Sequence, residues 1–370
     1  MKLNILIAAL ALAVCPASLA KETPSVSVSP VTQDADALNG GIVYALPQTV
    51  LRIKLTAQVI VESVGPYYQY STRYLNLTDV VTQNQSHWSL VSAQVETVGC
   101  ADYSKRFKVS AMDAAQLPSL ALAADGVLLA VNGAPALPES PESEAQPVIS
   151  YANFADVPLS QSALSRTSKA AQAEDVAQTI YALRSARISL ISGDKEVASL
   201  PDAGSYQLAL SRIDNLERQY VELFAGRRDT ITVVKYVDVT PDYNGANSVI
   251  PVRFSQTAGF VDALDLTGKP VYVDFEFSDA SKLNALPEGS KQRAASPLSG
   301  LRYCVPGLLS VKVLDRNILL CQTQVRCSQN GQVAALPAAM ITSHTISLDP
   351  ATGALISVVT IPSSTPAKTK

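Results

Sequence analysis

The sequence predicts an α+β fold, mainly β, in which two β-sandwich-like domains are separated by an antiparallel helical hairpin. Three observations carry that expectation. Period-two alternation of apolar residues recurs on both sides of the chain's middle, a helical period occupies the middle, and turn residues punctuate the β stretches at short intervals. Composition agrees. Of 370 residues, 47% are hydrophobic and 16% charged, against about a quarter charged in an average globular protein, which excludes a disordered chain.

At the start, Lys2 precedes the apolar run Ile5 to Val14, and Pro16 with Ser18-Leu19-Ala20 follows, so residues 1–20 read as a signal peptide cut before Lys21. Cys15 raises the competing reading of a lipidated N-terminus, but Leu12-Ala13-Val14 puts a branched valine where a small residue is wanted. Residues 21–43, rich in Ser, Thr, Val, Pro and Gly, read as a flexible tether. An N-terminal β domain is expected over 44–133. Its clearest strand runs from Leu51, where Leu51, Ile53, Leu55, Ala57, Val59 and Val61 alternate with polar residues. Gly65-Pro66 stops it, and Tyr67, Tyr70 and Tyr74 recur at helical spacing. Strands follow at Trp88 to Thr97, Arg106 to Ala111 and Val127 to Val131, with a phase shift between Leu90 and Val91 that predicts a β-bulge.

The proline-rich stretch 134–150 reads as a linker. The helical hairpin is expected over 151–228. Val176, Ile180, Leu183, Ala186 and Leu190 form one stripe, and Tyr206, Ala209, Ile213, Leu216, Tyr220 and Leu223 form another before Gly226. A second β domain is expected over 229–362, with Val271, Val273, Phe275 and Phe277 alternating and Asp349-Pro350-Ala351-Thr352-Gly353 as a hairpin turn; residues 363–370 form a tail.

Formal charge is -3, from 29 Lys and Arg against 32 Asp and Glu, so no basic field invites nucleic acid. After the leader, no apolar run approaches the roughly 18 residues of a membrane-spanning helix. Export permits disulfides, and Cys304 with Cys321 is the candidate pair, although sequence leaves the connectivity among Cys100, Cys304, Cys321 and Cys327 open. No metal site or cofactor is expected, because the chain has no C-x2-C pair and neither His87 nor His344 stands at ligand spacing from a cysteine. Signatures of metalloproteases, serine hydrolases, phosphate loops and dinucleotide folds are missing, so no catalytic residue is assigned. Asp274 and Glu276 share a strand face and could in principle serve hydrolysis, against the plainer reading of a solvated face. In the aromatic group of Tyr67, Tyr68, Tyr70, Tyr74 and Trp88, the helical face Tyr67, Tyr70 and Tyr74 is expected to pack on the sheet. Tyr68, Gln69 and Trp88 are the candidate ligand-facing residues.

Several segments resemble an uncharacterised family of exported Bacteroides-type proteins known as a domain of unknown function. They are Tyr44-Ala45-Leu46-Pro47; Gly65-Pro66-Tyr67-Tyr68-Gln69-Tyr70 with Arg73-Tyr74-Leu75; Tyr303 with Pro306-Gly307; and Asp349-Pro350-Ala351-Thr352-Gly353-Ala354-Leu355. The resemblance implies export and a β-rich multidomain build, and it carries no activity to transfer. The expected function is a non-enzymatic envelope protein, periplasmic or surface-associated, that binds or helps assemble a protein or glycan partner. The alternative is a hydrolase of glycans or peptides using acids of the β domains.

Overall fold

Two very long antiparallel ribbons organise the structure, a computed structural model that describes residues 26–31, 40–111, 117–135, 145–192, 203–278 and 300–361. The leader, residues 136–144 of the linker, the loop between the long helices and the 363–370 tail lie outside the described residues. The first ribbon joins β2 (Ile42–Ser63) to β3 (Gln85–Ala111); flanked by β1 (Val26–Pro30) and β6 (Arg227–Val239), it makes a sheet of order β1-β3-β2-β6. The second joins β10 (Gly300–Asp315) to β11 (Ile318–Pro337). With β7 (Ser248–Ser255), β8 (Gly259–Val261) and β9 (Lys269–Phe277) it forms a sheet of order β11-β10-β9-β7-β8. A third sheet, order β13-β12-β5-β4, is built from β4 (Leu120–Leu122), β5 (Leu128–Val131), β12 (His344–Leu348) and β13 (Leu355–Thr360). The helices are α1 (Ser71–Leu75), α2 (Gln161–Ser165), α3 (Lys169–Ser192), α4 (Ala203–Ala225) and α5 (Ala338–Ser343).

The α+β, mainly β class is borne out, and the physical reason is the alternation noted above. Leu51, Ile53, Leu55, Ala57, Val59 and Val61 all point to one face of β2, none more than 2% exposed, and meet Val252, Val271, Val273, Phe275, Leu309, Val311 and Val313 of the second sheet. Each of these Val, Leu, Ile and Phe side chains contributes on the order of 1.5–3 kcal/mol when withdrawn from water. At the other end of the same ribbon, Tyr44, Leu46 and Val109 enter a second core with Leu128, Val131, Leu301, Ile341, Ile346 and Leu348. One pair of strands thus serves two cores. Irregularities make that geometry feasible: Val91 is the extra residue between the Thr56–Ser92 and Ala57–Leu90 pairs, where the phase shift places it, and Tyr103 to Lys105 are looped out between the Ala45–Arg106 and Leu46–Asp102 pairs.

The sheets do not follow the sequence boundaries proposed at 44–133 and 229–362. From the second segment, β6 completes the first sheet by pairing β2 from Leu51–Val239 to Ser63–Arg227, while β4 and β5 of the first segment share a sheet with β12 and β13. Nothing local in the chain encodes which of several alternating strands pair. The proposed tether also differs. Val26-Ser27-Val28-Ser29 alternates over a stretch short enough to escape notice, and β1 pairs β3 from Val26–Ala111 to Pro30–Phe107, burying both valines. Strands expected separately at 88–97 and 106–111 are one.

The helical hairpin lies where its stripes predict. Arg184 reaches Glu217 at 2.7 Å and Arg187 reaches Asp214 at 3.2 Å, a descending register that makes α3 and α4 antiparallel. Their apolar faces enclose a third core of Ala173, Val176, Ile180, Tyr220, Leu223 and Phe224. Gly226 ends α4 with φ at +79°, a conformation a Cβ would strain, and the chain turns directly into β6. Among the described residues no helix is long and apolar enough to cross a membrane.

Asp175, buried at the start of α3, accepts from Arg166 Nε at 3.1 Å and Ser162 Oγ at 2.7 Å; Arg166 above all, then Ser162, holds its carboxyl below the usual aspartate range. Because the folded value is depressed, the stabilisation is present above the ordinary aspartate value of about 4 and is lost as pH falls through the folded value. Thermal melts between pH 7 and 3 should show D175N less stable than wild type at pH 7 and the gap closing below pH ~4.

Candidate functional site

Where the two β cores meet, three of the four family-like segments, at 44–47, 303–307 and 349–355, converge on one buried polar seam. Between the Gly307–Cys327 and Val305–Gln332 pairs, β11 loops out Ser328 to Gly331. Thr49 of β2, fully buried, donates its N–H to Ser328 Oγ at 2.9 Å and its hydroxyl to the Ala351 carbonyl at 3.0 Å, and it accepts the Ser328 N–H at 3.0 Å. Gln329 Nε2 donates to the Thr49 carbonyl at 2.7 Å. Asn330 Nδ2 donates to the Ser278 and Leu308 carbonyls, both at 3.1 Å, and its amide fills the space that a Cβ at Gly307 would occupy. The 349–353 turn is held by Asp349, which accepts from the Ala351 N–H and the Thr352 hydroxyl, and Gly353 accepts the Cys304 N–H at 2.9 Å. Tyr44, buried so that its phenol is pushed above the ordinary tyrosine range, accepts the Arg302 N–H at 2.8 Å. This seam fixes structure: nearly every polar group in it is satisfied within the protein.

Two recesses open beside this frame. One, of ≈ 270 Å³, lies between the first and third sheets, with Arg52, Val98, Cys100, Asp125, Asp238 and Pro350 among its walls. Arg52 grips Asp238 through Nε at 2.9 Å and Nη2 at 2.8 Å, and Asp125 accepts the Ala101 N–H at 2.8 Å. The Cys100 thiol is raised by partial burial, then by Asp125 and Asp102, which keeps it protonated and a weak nucleophile at neutral pH. A Cβ at Gly99 would overlap the Pro350 carbonyl, so glycine is what lets the turn close this recess.

The second is an open trough of ≈ 440 Å³ on the outer face of the second sheet, lined by Asn247, Ser248, Asp274, Glu276, Ser310 and Lys312. Apart from Asn247, which immediately precedes β7, these side chains come from β7, β9 and β10, so the period that buries Val273 and Val311 presents the polar residues outward. Ser248 donates its hydroxyl to Asp274 Oδ1 at 2.5 Å.

The structure sorts the residues singled out by sequence. Asp274 and Glu276 are brought together with partners that strand alternation alone could not assign. Trp88 is corrected: it is 2% exposed and belongs to the first core, because it occupies the inward position of β3 opposite Val59. Gln69 is exposed and Tyr68 half-buried, joined by a 3.1 Å hydrogen bond from Gln69 Nε2 to Tyr68 Oη and away from both recesses. Tyr67 and its neighbours Tyr70 and Tyr74 pack on the helical layer rather than a sheet, Tyr67 lying 5.7 Å from Phe224 between ring centroids. The Cys304–Cys321 pairing is also corrected, since all four described cysteines are free thiols. Cys304 stands opposite Val333 and Cys321 opposite Val313. That separates the two by about 30 Å along the ribbon, far beyond the roughly 7 Å a disulfide spans. Asp262 and Asp265 each cap their own loop, accepting the Leu264 and Thr267 N–H groups. His87 is exposed and His344 half-buried, the latter bonded through Nδ1 to Ser343. Among the described residues no group of three or more His, Cys, Asp or Glu side chains is placed to hold a metal ion.

With this geometry in view, comparison identifies the class. The chain matches a domain of unknown function, DUF4831, over residues 40–356, and it belongs to that family. No curated protein and no solved structure matches it.

Replacing Thr49 by Val leaves the buried Ser328 N–H without its acceptor, and chemical denaturation should register a loss of about 2–3 kcal/mol, with Ser in the same place losing about 1 kcal/mol. Burial pushes the Cys304 thiol up to about 11 and raises that of Cys327 as well. Iodoacetamide at pH 8 should therefore modify exposed Cys100 in the folded chain and spare Cys304 and Cys327 until denaturant is added, as read by peptide mass spectrometry.

Proposed function

We propose that this protein is an exported, non-enzymatic binding or assembly factor of the cell envelope, periplasmic or surface-associated, that takes a protein or glycan partner. The observation that supports this most is the ≈ 440 Å³ trough, whose charged and hydroxyl-bearing side chains stand on adjacent strands of one sheet. Side chains set on paired strands are pre-organised, so a partner meets them without first ordering a loop. The leader-like residues 1–20 support export.

One observation favours the alternative hydrolase reading. Asp274 and Glu276 occupy same-face positions of β9 and line the same trough. Two residues along a strand are about 6.6 Å apart, a spacing compatible with paired carboxylates in glycoside hydrolysis. Against it, the trough is open to water, a poor setting for an acid that must remain protonated at neutral pH.

Fractionation followed by N-terminal sequencing should find the protein in the envelope beginning at Lys21. The purified protein should be retained on immobilised envelope proteins or on a glycan array while leaving a panel of polysaccharides and peptides uncut. Recovery from the cytosol with residues 1–20 intact, or turnover of any member of the panel, overturns this reading.

A further inference from the structure

The outer face of the second sheet carries more than a depression. Strand register arranges its polar residues in two rows that run across the strands. In the first, Ser248 of β7 stands opposite Asp274 of β9, Asp274 opposite Lys312 of β10, and Lys312 opposite Gln322 of β11. In the second, Glu276 of β9 stands opposite Ser310 of β10, and Ser310 opposite Gln324 of β11. Residues directly opposite on one sheet face have their side chains side by side, so each row is a continuous polar strip. The first row crosses three strand spacings, about 14 Å, which matches a short oligosaccharide rather than a single small molecule.

The chemistry of the rows selects the ligand class. Two carboxylates, an ammonium, two primary amides and two hydroxyls offer donors and acceptors in alternation, and a sugar hydroxyl is both donor and acceptor. Asp274, Glu276 and Lys312 leave one residual negative charge, which disfavours acidic glycans, phosphate-bearing polymers and anionic membranes. The rows contain no large apolar side chain of the kind that anchors a protein partner.

We propose that the two polar rows on the outer face of the β7-β9-β10-β11 sheet form a binding site for a neutral oligosaccharide laid across the strands. The inference rests on the binding-factor reading above and narrows its partner to a glycan and its site to one face.

The test uses the full chain on an array of neutral gluco-, manno-, galacto- and N-acetylhexosamine oligosaccharides, alongside uronic-acid-containing ones, followed by titration calorimetry with the best neutral hit. Wild type should bind neutral members, and K312A and E276A should each weaken the hit about tenfold or more. Lys54→Ala, on the outer face of the first sheet, should leave affinity unchanged. All three positions are on outer sheet faces, and thermal melting checks that the variants fold. Unchanged affinity in both K312A and E276A overturns this site while leaving a glycan-binding protein. Binding restricted to acidic glycans overturns the charge argument. Absence of any glycan binding, with an envelope protein captured instead, overturns the inference and leaves the broader reading standing. Shortening of the bound oligosaccharide overturns both.

Discussion

The buried hydrogen bonds joining Thr49, Ser328 and Ala351 are the constraint on which the rest of the structure depends. The two β cores are apolar and nondirectional, so hydrophobic burial alone would let the long ribbons slide against each other. A polar contact buried between the cores removes that freedom, because any other register strands a donor or acceptor away from water. Three elements distant in sequence are clamped there: the middle of β2, the looped-out section of β11 and the 349–353 turn. Family-like segments at 44–47, 303–307 and 349–355 gather around this point, which gives their resemblance a structural reason.

What sequence disclosed depended on how local the signal was. The alternation of β2, the extra residue at Val91, the turn at 349–353 and the two helical stripes each lie within a few residues of the chain and were legible. Strand pairing was not. Whether β6 joins β2 or β7 is decided by which faces bury together, and residues 64 to 226 intervene between those partners. The same limit explains Trp88 and β1. A tryptophan beside exposed His87 could face either way until the register of β3 on β2 is known, and five alternating residues near a proline carry too little pattern to stand out.

The trough was half legible for the same reason. Asp274 and Glu276 declare themselves as neighbours on one face because they are two apart on one strand. Ser248, Ser310, Lys312 and the glutamines of β11 come from three other strands, and only the register places them alongside. A cysteine pair inferred from proximity in sequence failed by the converse logic: positions close along the chain were carried to opposite ends of a ribbon.

The excursion that carries the two long helices leaves and re-enters the β framework at a single point. Ala152, just before it, donates its N–H to Ser63 Oγ at 2.8 Å, and Arg227, just after it, pairs with Ser63 in the sheet. An excursion whose entrance and exit coincide can lengthen, shrink or be replaced over evolutionary time without disturbing any strand alignment. The strand alignments of this chain therefore do not depend on how long that excursion is.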